Sequence, residues 1–203
     1  MQGRPAPVAD VLIVGGGAAG LAAAVHAASA RPGGHIVLLG GWPQLGAKLL
    51  LSGGGRCNLT HAAVGAADFS GSPAHLTRRV LKALPVSRTL EWFRRLGVQA
   101  RSEEDGRVFP VTGGARAVRD ALVAAVRAGG VRLAAEWRVA AIERGPDGFT
   151  LRSTDGRSER AARVVLAAGG RSCPRTGSDG SGFALAASLG HSIVPTIPGL
   201  VPL

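Results

Sequence analysis

Asp10-Val11-Leu12-Ile13-Val14-Gly15-Gly16-Gly17-Ala18-Ala19-Gly20 is the stretch whose reading decides the fold. Val11 to Val14 is a short apolar run rich in β-branched side chains, the pattern of a strand buried on both faces. Gly15, Gly17 and Gly20 then stand at G-x-G-x-x-G spacing. Leu21 to Ala30, rich in alanine and free of breakers, predicts a helix. Strand, glycine turn and helix in this order are the context in which that spacing binds a dinucleotide. Gly15 permits the tight turn, Gly17 lets the backbone approach a pyrophosphate, and Gly20 lets helix and strand pack closely. Ala18 and Ala19 fill the places between, where free N–H groups and the helix dipole attract phosphate.

Working outward, Arg31 to Gly34 reads as a turn and His35 to Leu39 as a second apolar strand. The result is a βαβ unit with a right-handed crossover. About 20 residues beyond the glycines, such a fold ordinarily places an acid that bonds the ribose hydroxyls. Gly40 holds that place here, and no acid lies between Asp10 and Asp68. Hydrogen bonds to a charged group contribute about 1.5–3 kcal/mol, so their loss weakens adenosine affinity by one or two powers of ten. The pyrophosphate seat is untouched. Trp42 to Thr60 follows as a long loop that contains Lys48, then Gly53, Gly54, Gly55, Arg56, Cys57 and Asn58. A loop of this length is functional or disordered. Its glycines suit a backbone laid against a flat ligand, with Arg56 and Asn58 as donors; they suit a flexible surface loop equally.

The 203 residues, 46% apolar and 18% charged, fit a globular domain. No apolar run reaches the ~18 residues of a membrane helix. The segment after Arg4 and Pro5 is too short and glycine-broken for a secretion signal, so a cytoplasmic location and no membrane partner are expected. The net charge of +11 raises nucleic acid as a partner. Its carriers, arginines apart from Lys48 and Lys82, are spread through the second half with few aromatics for base stacking. An incidental basic surface is therefore expected, and no nucleic-acid partner. Cys57 and Cys173 fit no metal or disulfide framework.

Further along, Ser72 to Gly97 predicts two helices, with Thr77, Val80, Leu81 and Leu84 at helical spacing and Pro85 starting the second. Trp92 and Phe93 read as core. Gln99 to Val111 predicts a hairpin, Ala115 to Ala128 a helix and Val131 to Ala134 a third strand. Arg138 to Arg144, Phe149 to Ser153 and Arg157 to Ala161 read as an antiparallel meander. Arg163 to Ala167 reads as a separate, fourth parallel strand. It ends in small residues, Ala167, Ala168, Gly169 and Gly170, that let a ligand pass. Ser178 to Gly182 opens a last helix, Phe183 to Leu189, ended by Gly190; His191 after it reads as structural.

Leu45-Gly46-Ala47-Lys48-Leu49-Leu50-Leu51-Ser52-Gly53-Gly54-Gly55-Arg56-Cys57-Asn58-Leu59-Thr60-His61 resembles the signature of the BaiN-like, or aminoacetone oxidase-like, bacterial NAD(P)/FAD-dependent oxidoreductases. The segments 104–111, 168–178, 190–195 and 200–203 resemble the same family, in its order. The family usually has an acid at Gly40, a base at Ala47, often an aromatic at Cys173, and Thr and Asp where Asp179 and Ser181 stand. The resemblance implies an α/β, Rossmann-like FAD-binding fold of glutathione-reductase type, a parallel sheet with an antiparallel β-meander. Residues 1–195 would form an incomplete FAD/NAD(P)-binding domain with a helical insertion at about 61–112. Residues 196–203 would begin a missing substrate domain, making the chain part of a longer flavoprotein.

It implies FAD as cofactor, NAD(P)H as a candidate electron donor and a small-molecule substrate, with hydride transfer through the flavin. Gly15, Gly17, Ala18, Ala19 and Gly20 would hold the pyrophosphate. Lys48, Gly54, Gly55, Arg56, Cys57 and Asn58 would lie along the ribityl chain or flavin, the Val139 backbone at the adenine, and Ala168 and Gly169 beside the cofactor. Arg107 and Phe109 would lie toward the substrate, or belong to an ordinary hairpin. Three other readings stand beside this one: an inactive nucleotide-binding scaffold, a flavin-free NAD(P) dehydrogenase, and a Cys57–Cys173 redox pair against two unrelated thiols. No residue is identifiable as a general acid or base, and the oligomeric state is not legible.

Overall fold

A computed structural model describes residues 8–71 and 73–197. Arg4, Pro5, Ser72 and Leu200 to Leu203, which carried parts of the sequence reading, lie outside the described residues. In chain order the regular elements are β1 (Ala9–Val14), α1 (Ala18–Ala30), β2 (Ile36–Leu39), β3 (Thr60–His61), α2 (Ala74–Ala83), α3 (Val86–Arg95), β4 (Ala100–Ser102), β5 (Arg107–Pro110), α4 (Gly114–Ala128), β6 (Arg132–Ala134), β7 (Val139–Gly145), β8 (Gly148–Ser153), β9 (Ser158–Leu166) and α5 (Ser181–Ser188).

The main sheet has the order β6-β2-β1-β9-β8-β7. β6, β2, β1 and β9 are parallel, in register as Val14↔Leu39 and Val14↔Leu166. β8 and β7 add antiparallel pairs at one edge. The Val11–Val14 run is central because it is apolar on both faces, and each face has its own core. On one, Leu21, Ala24 and Ala28 of α1 and Val118, Leu122 and Val126 of α4 pack on Ile13 and Leu38. On the other, Leu12, Val14 and Val37 meet Trp137, Ile142, Leu151 and Leu185. Each fully buried aliphatic side chain contributes about 1.5–3 kcal/mol by leaving water. No helix among the described residues is long and apolar enough to cross a membrane.

The structure corrects the sequence reading at one strand. The third meander strand and the fourth parallel strand are one element, β9. Its Ser158–Ala161 half pairs with β8, and from Ala161 to Leu166 it pairs with β1. No glycine or proline interrupts Ser158 to Leu166, so nothing ends the strand at Ala161. The predicted hairpin is present as β4 and β5, and gains a third strand, β3, from the end of the long loop. The two predicted helices form, but neither buries a residue, and Val80 and Leu84 of the predicted apolar stripe are exposed. Trp92 and Phe93 are half-buried against the α1 side of the core, Trp92 stacked on His26.

Candidate functional site: a glycine-walled cleft

Each glycine of the first turn has a separate geometric reason. Gly15 has φ +113°, and a Cβ there would lie 2.3 Å from the Ala167 carbonyl oxygen, so only glycine lets the ends of β1 and β9 come together. A Cβ on Gly20 would lie 1.7 Å from the Gly15 oxygen; its absence lets α1 rest on the turn. A Cβ on Gly17 would meet nothing within 4 Å. Gly17 is the N-cap of α1, no side chain caps the helix, and Ala18 and Ala19 are exposed. The helix start is thus open, with its first N–H groups and the positive end of its dipole facing outward.

That start borders a cleft of about 380 Å³. Its walls come from the β1 turn, the end of β2, the 42–49 loop, the start of β7 and the segment after β9. This is the position outside the carboxyl ends of parallel strands where such sheets take ligands. Gly15, Gly17, Ala18, Ala19, Lys48, Val139, Ala168 and Gly169 all line it. Gly20 lies beneath the turn and shapes it from behind.

Lys48 is half-buried, and its ammonium donates to the Ser172 carbonyl at 2.7 Å, to Ser172 Oγ at 3.0 Å and to Ser178 Oγ. Three N–H donors meet three neutral acceptors, and among the described residues no carboxylate pairs with Lys48. The cleft wall therefore keeps an uncompensated positive charge, held rigidly against buried Ser178.

The glycine arm is placed differently. The cleft ends at Ser52, and Gly54, Gly55, Arg56, Cys57 and Asn58 are not among the residues that line it. Gly54 is exposed and open. The Arg56 guanidinium pairs with Glu103 at 2.8 Å and lies 4.0 Å over the Phe109 ring. Asn58, with its NH2 turned inward, donates to the Thr60 oxygen at 2.8 Å and the Val108 oxygen at 3.1 Å. Cys57 is 3% exposed and belongs to the main core. These side chains bind the arm to the β3-β5-β4 sheet, a tertiary arrangement that the spacing of the motif does not encode. Cys173 is exposed and Cys57 buried; both are free.

Gly40 stands where the ribose acid was expected, stitched into the sheet by its N–H to the Ala134 oxygen and by the Trp137 N–H to its own oxygen, each 2.8 Å. A Cβ at Gly40 would lie 2.8 Å from Leu45 Cδ2, so Leu45 fills the space an acid would use. Arg138 pairs with Asp179 across the mouth. That guanidinium, with the Ser181 N–H, holds the Asp179 carboxyl well below the usual carboxylate range. Sequence reasoning missed Trp42, Trp137 and Arg138 as wall residues, and Asp179 as the partner of Arg138. The only signal in the sequence was the aromatic three places past the end of β2.

The fold and the cleft define a Rossmann-type α/β domain with its opening at the end of the parallel strands. The chain belongs to the HI0933-like protein Rossmann domain family, whose model matches residues 9–203. It is 39% identical over 191 residues to the 3-dehydro-bile acid delta(4,6)-reductase of Clostridium scindens, covering 94% of this chain and 46% of the relative. It is 29% identical over 193 residues to the ribosomal RNA dihydrouridine synthase of Escherichia coli, covering 95% and 47%. The chain thus spans about half the length of the curated relatives it matches. Among solved structures, the 3-ketosteroid-delta4-(5alpha)-dehydrogenase of Rhodococcus jostii RHA1 has a TM-score of 0.63 at 20% identity, over 95% of this chain and 56% of that one. A flavocytochrome c3 fumarate reductase has a TM-score of 0.61 at 19% identity, over 91% and 41%. These likenesses establish the shared fold.

Proposed function

We propose that this chain is the FAD-binding part of a flavin-dependent oxidoreductase that acts on a small organic molecule, with NAD(P)H as electron donor. The observation that carries it is the open seat at Gly17. The turn is closed to side chains at Gly15 and Gly20, where backbone packs on backbone, and clear only where a diphosphate would approach. The names of the two relatives, a reductase of a bile-acid delta(4,6) position and a synthase of dihydrouridine, support a reductive reaction on an organic ring.

FAD, when bound, supplies hydride acceptance and donation. The chain's own residues bind and orient. Gly15 to Ala19 offer N–H groups and a helix dipole to the diphosphate. Lys48 adds a fixed positive charge on the wall. Val139 closes the adenosine end, while Ala168 and Gly169 leave room beside the strand ends. Arg56, held by Glu103 and Phe109 beyond the cleft, is the cation that would face the ring end.

The experiment is purification and reconstitution. Yellow protein, or colourless protein that takes up stoichiometric FAD and loses it in Gly17→Val, supports the reading; protein that takes up no added FAD sinks it. Comparing turnover of this chain with that of a longer homologous one separates an active module from an inactive scaffold. A second reading, an RNA substrate, is favoured by the net charge of +11 and by the name of the Escherichia coli relative. It requires RNA affinity that falls steeply with salt.

A further inference from the structure

The adenosine end of the cleft lacks the carboxylate that usually grips a ribose, yet it is not featureless. Gly40 and Gly41 present no side chains, and the next residue is Trp42, 44% exposed on the cleft wall. A Cβ on Gly177 would lie 2.5 Å from both Cδ1 and Nε1 of Trp42, so the indole edge rests on a bare glycine of the opposite wall. Gly177 has φ +93°, which favours glycine there twice over. The Cδ1–Nε1 side of the ring is thereby braced, two side-chain-free residues precede it, and nearly half of the residue is open to solvent at the cleft. The nearby guanidinium of Arg138 is held by Asp179, so its charge is compensated and the planar indole is the dominant surface at this end. Diphosphate at Gly17 and ribose at Gly40 place the base of an adenine dinucleotide next in line, at Trp42.

We infer that Trp42 is a stacking platform for the adenine ring of the bound dinucleotide, and that it replaces the missing acid as the source of affinity at that end. The inference rests on the dinucleotide reading of the cleft. Stacking of a base on an aromatic side chain matches in size the hydrogen bonds forgone at Gly40. It also changes what is recognised: the base is selected by its face, and the ribose hydroxyls are left to water.

The test titrates the chain with ADP and with FAD, following tryptophan fluorescence and measuring Kd by calorimetry. Wild-type fluorescence should be quenched by ADP. Trp42→Leu should abolish most of the quenching and weaken ADP and FAD about tenfold, and Trp42→Phe should recover most of the affinity. Equal ADP affinity in wild type and Trp42→Leu overturns the platform while the dinucleotide site stands. Weakened binding in Trp42→Leu without any quenching in wild type also overturns it, because Trp42 would then only be shaping the wall. A Trp42→Phe variant as weak as Trp42→Leu, at unchanged melting temperature, counts against it in the same way. Wild type that binds neither ADP nor FAD overturns the platform and the dinucleotide reading together.

Discussion

Gly17→Val and Gly20→Ala stand three residues apart in one motif and should fail in opposite ways. At Gly20 the new methyl would sit 1.7 Å from the Gly15 carbonyl oxygen and 3.0 Å from its carbon. Both are backbone atoms of a turn that is itself pressed on Ala167, so no rotamer change relieves the clash. Restoring an ordinary separation means moving α1 off β1 by more than 1 Å, roughly the difference between a van der Waals contact and the present one. Leu21, Ala24 and Ala28 would then lose packing against Ile13 and Leu38. Overpacking costs about 1–3 kcal/mol where side chains can yield. Here backbone must yield, so about 3 kcal/mol or more is expected, a fall of roughly 6–12 °C in Tm for a domain of this size. At Gly17 a side chain meets nothing within 4 Å. Valine there costs only the poorer N-cap, about 1 kcal/mol or less. It occupies the diphosphate's approach, however, and should reduce FAD uptake more than tenfold. Differential scanning calorimetry and FAD titration on both variants decide it. A Gly20→Ala protein as stable as wild type, or a Gly17→Val protein that melts as low as Gly20→Ala, would refute the division of labour within the motif.

Gly40→Glu should tighten FAD binding about tenfold, because only the mobile end of Leu45 stands in the way and the carboxylate would regain bonds to the ribose; unchanged Kd by calorimetry would show the acid to be superfluous here. The Asp179 carboxyl, held low by Arg138, contributes stability above its unfolded value of 3.8 that is lost as pH falls through its folded value. Asp179→Asn should therefore lower stability slightly at pH 7, by about 0.5 kcal/mol or less for so exposed a pair, and the difference should shrink progressively below pH 4 in melts run across pH. Cys57→Ser should cost about 1–3 kcal/mol in urea unfolding by placing a hydroxyl in an apolar core, whereas Cys173→Ser, at the surface, should leave the midpoint within about 0.5 kcal/mol.

The first βαβ unit was legible because its signals are local. Alternation, glycine spacing and breakers act within a dozen residues, and the strands and helices they predict from Val11 to Leu39 are those observed. Gly15, Gly17, Lys48, Ala168 and Gly169, each picked out from its own segment, line the cleft. The glycine arm was not legible. Its residues suit a ligand or a surface equally by type, and the deciding contacts of Arg56 with Glu103 and Phe109 join segments about fifty residues apart. The break expected near Ala161 failed because a strand that changes partner midway carries no mark of the change in its own residues.

By itself the sequence determined the element types, the parallel core around Val11 to Val14 and the chemistry available at the helix start, since these follow from backbone propensity and short-range periodicity. Tertiary structure alone decided which side chains share the cleft. Trp42 meets Gly177, Lys48 meets Ser172 and Ser178, and Leu45 occupies the place of a missing acid. Each of these depends on how separate loops converge at the ends of the strands, a geometry set by packing of the whole sheet rather than by any one segment.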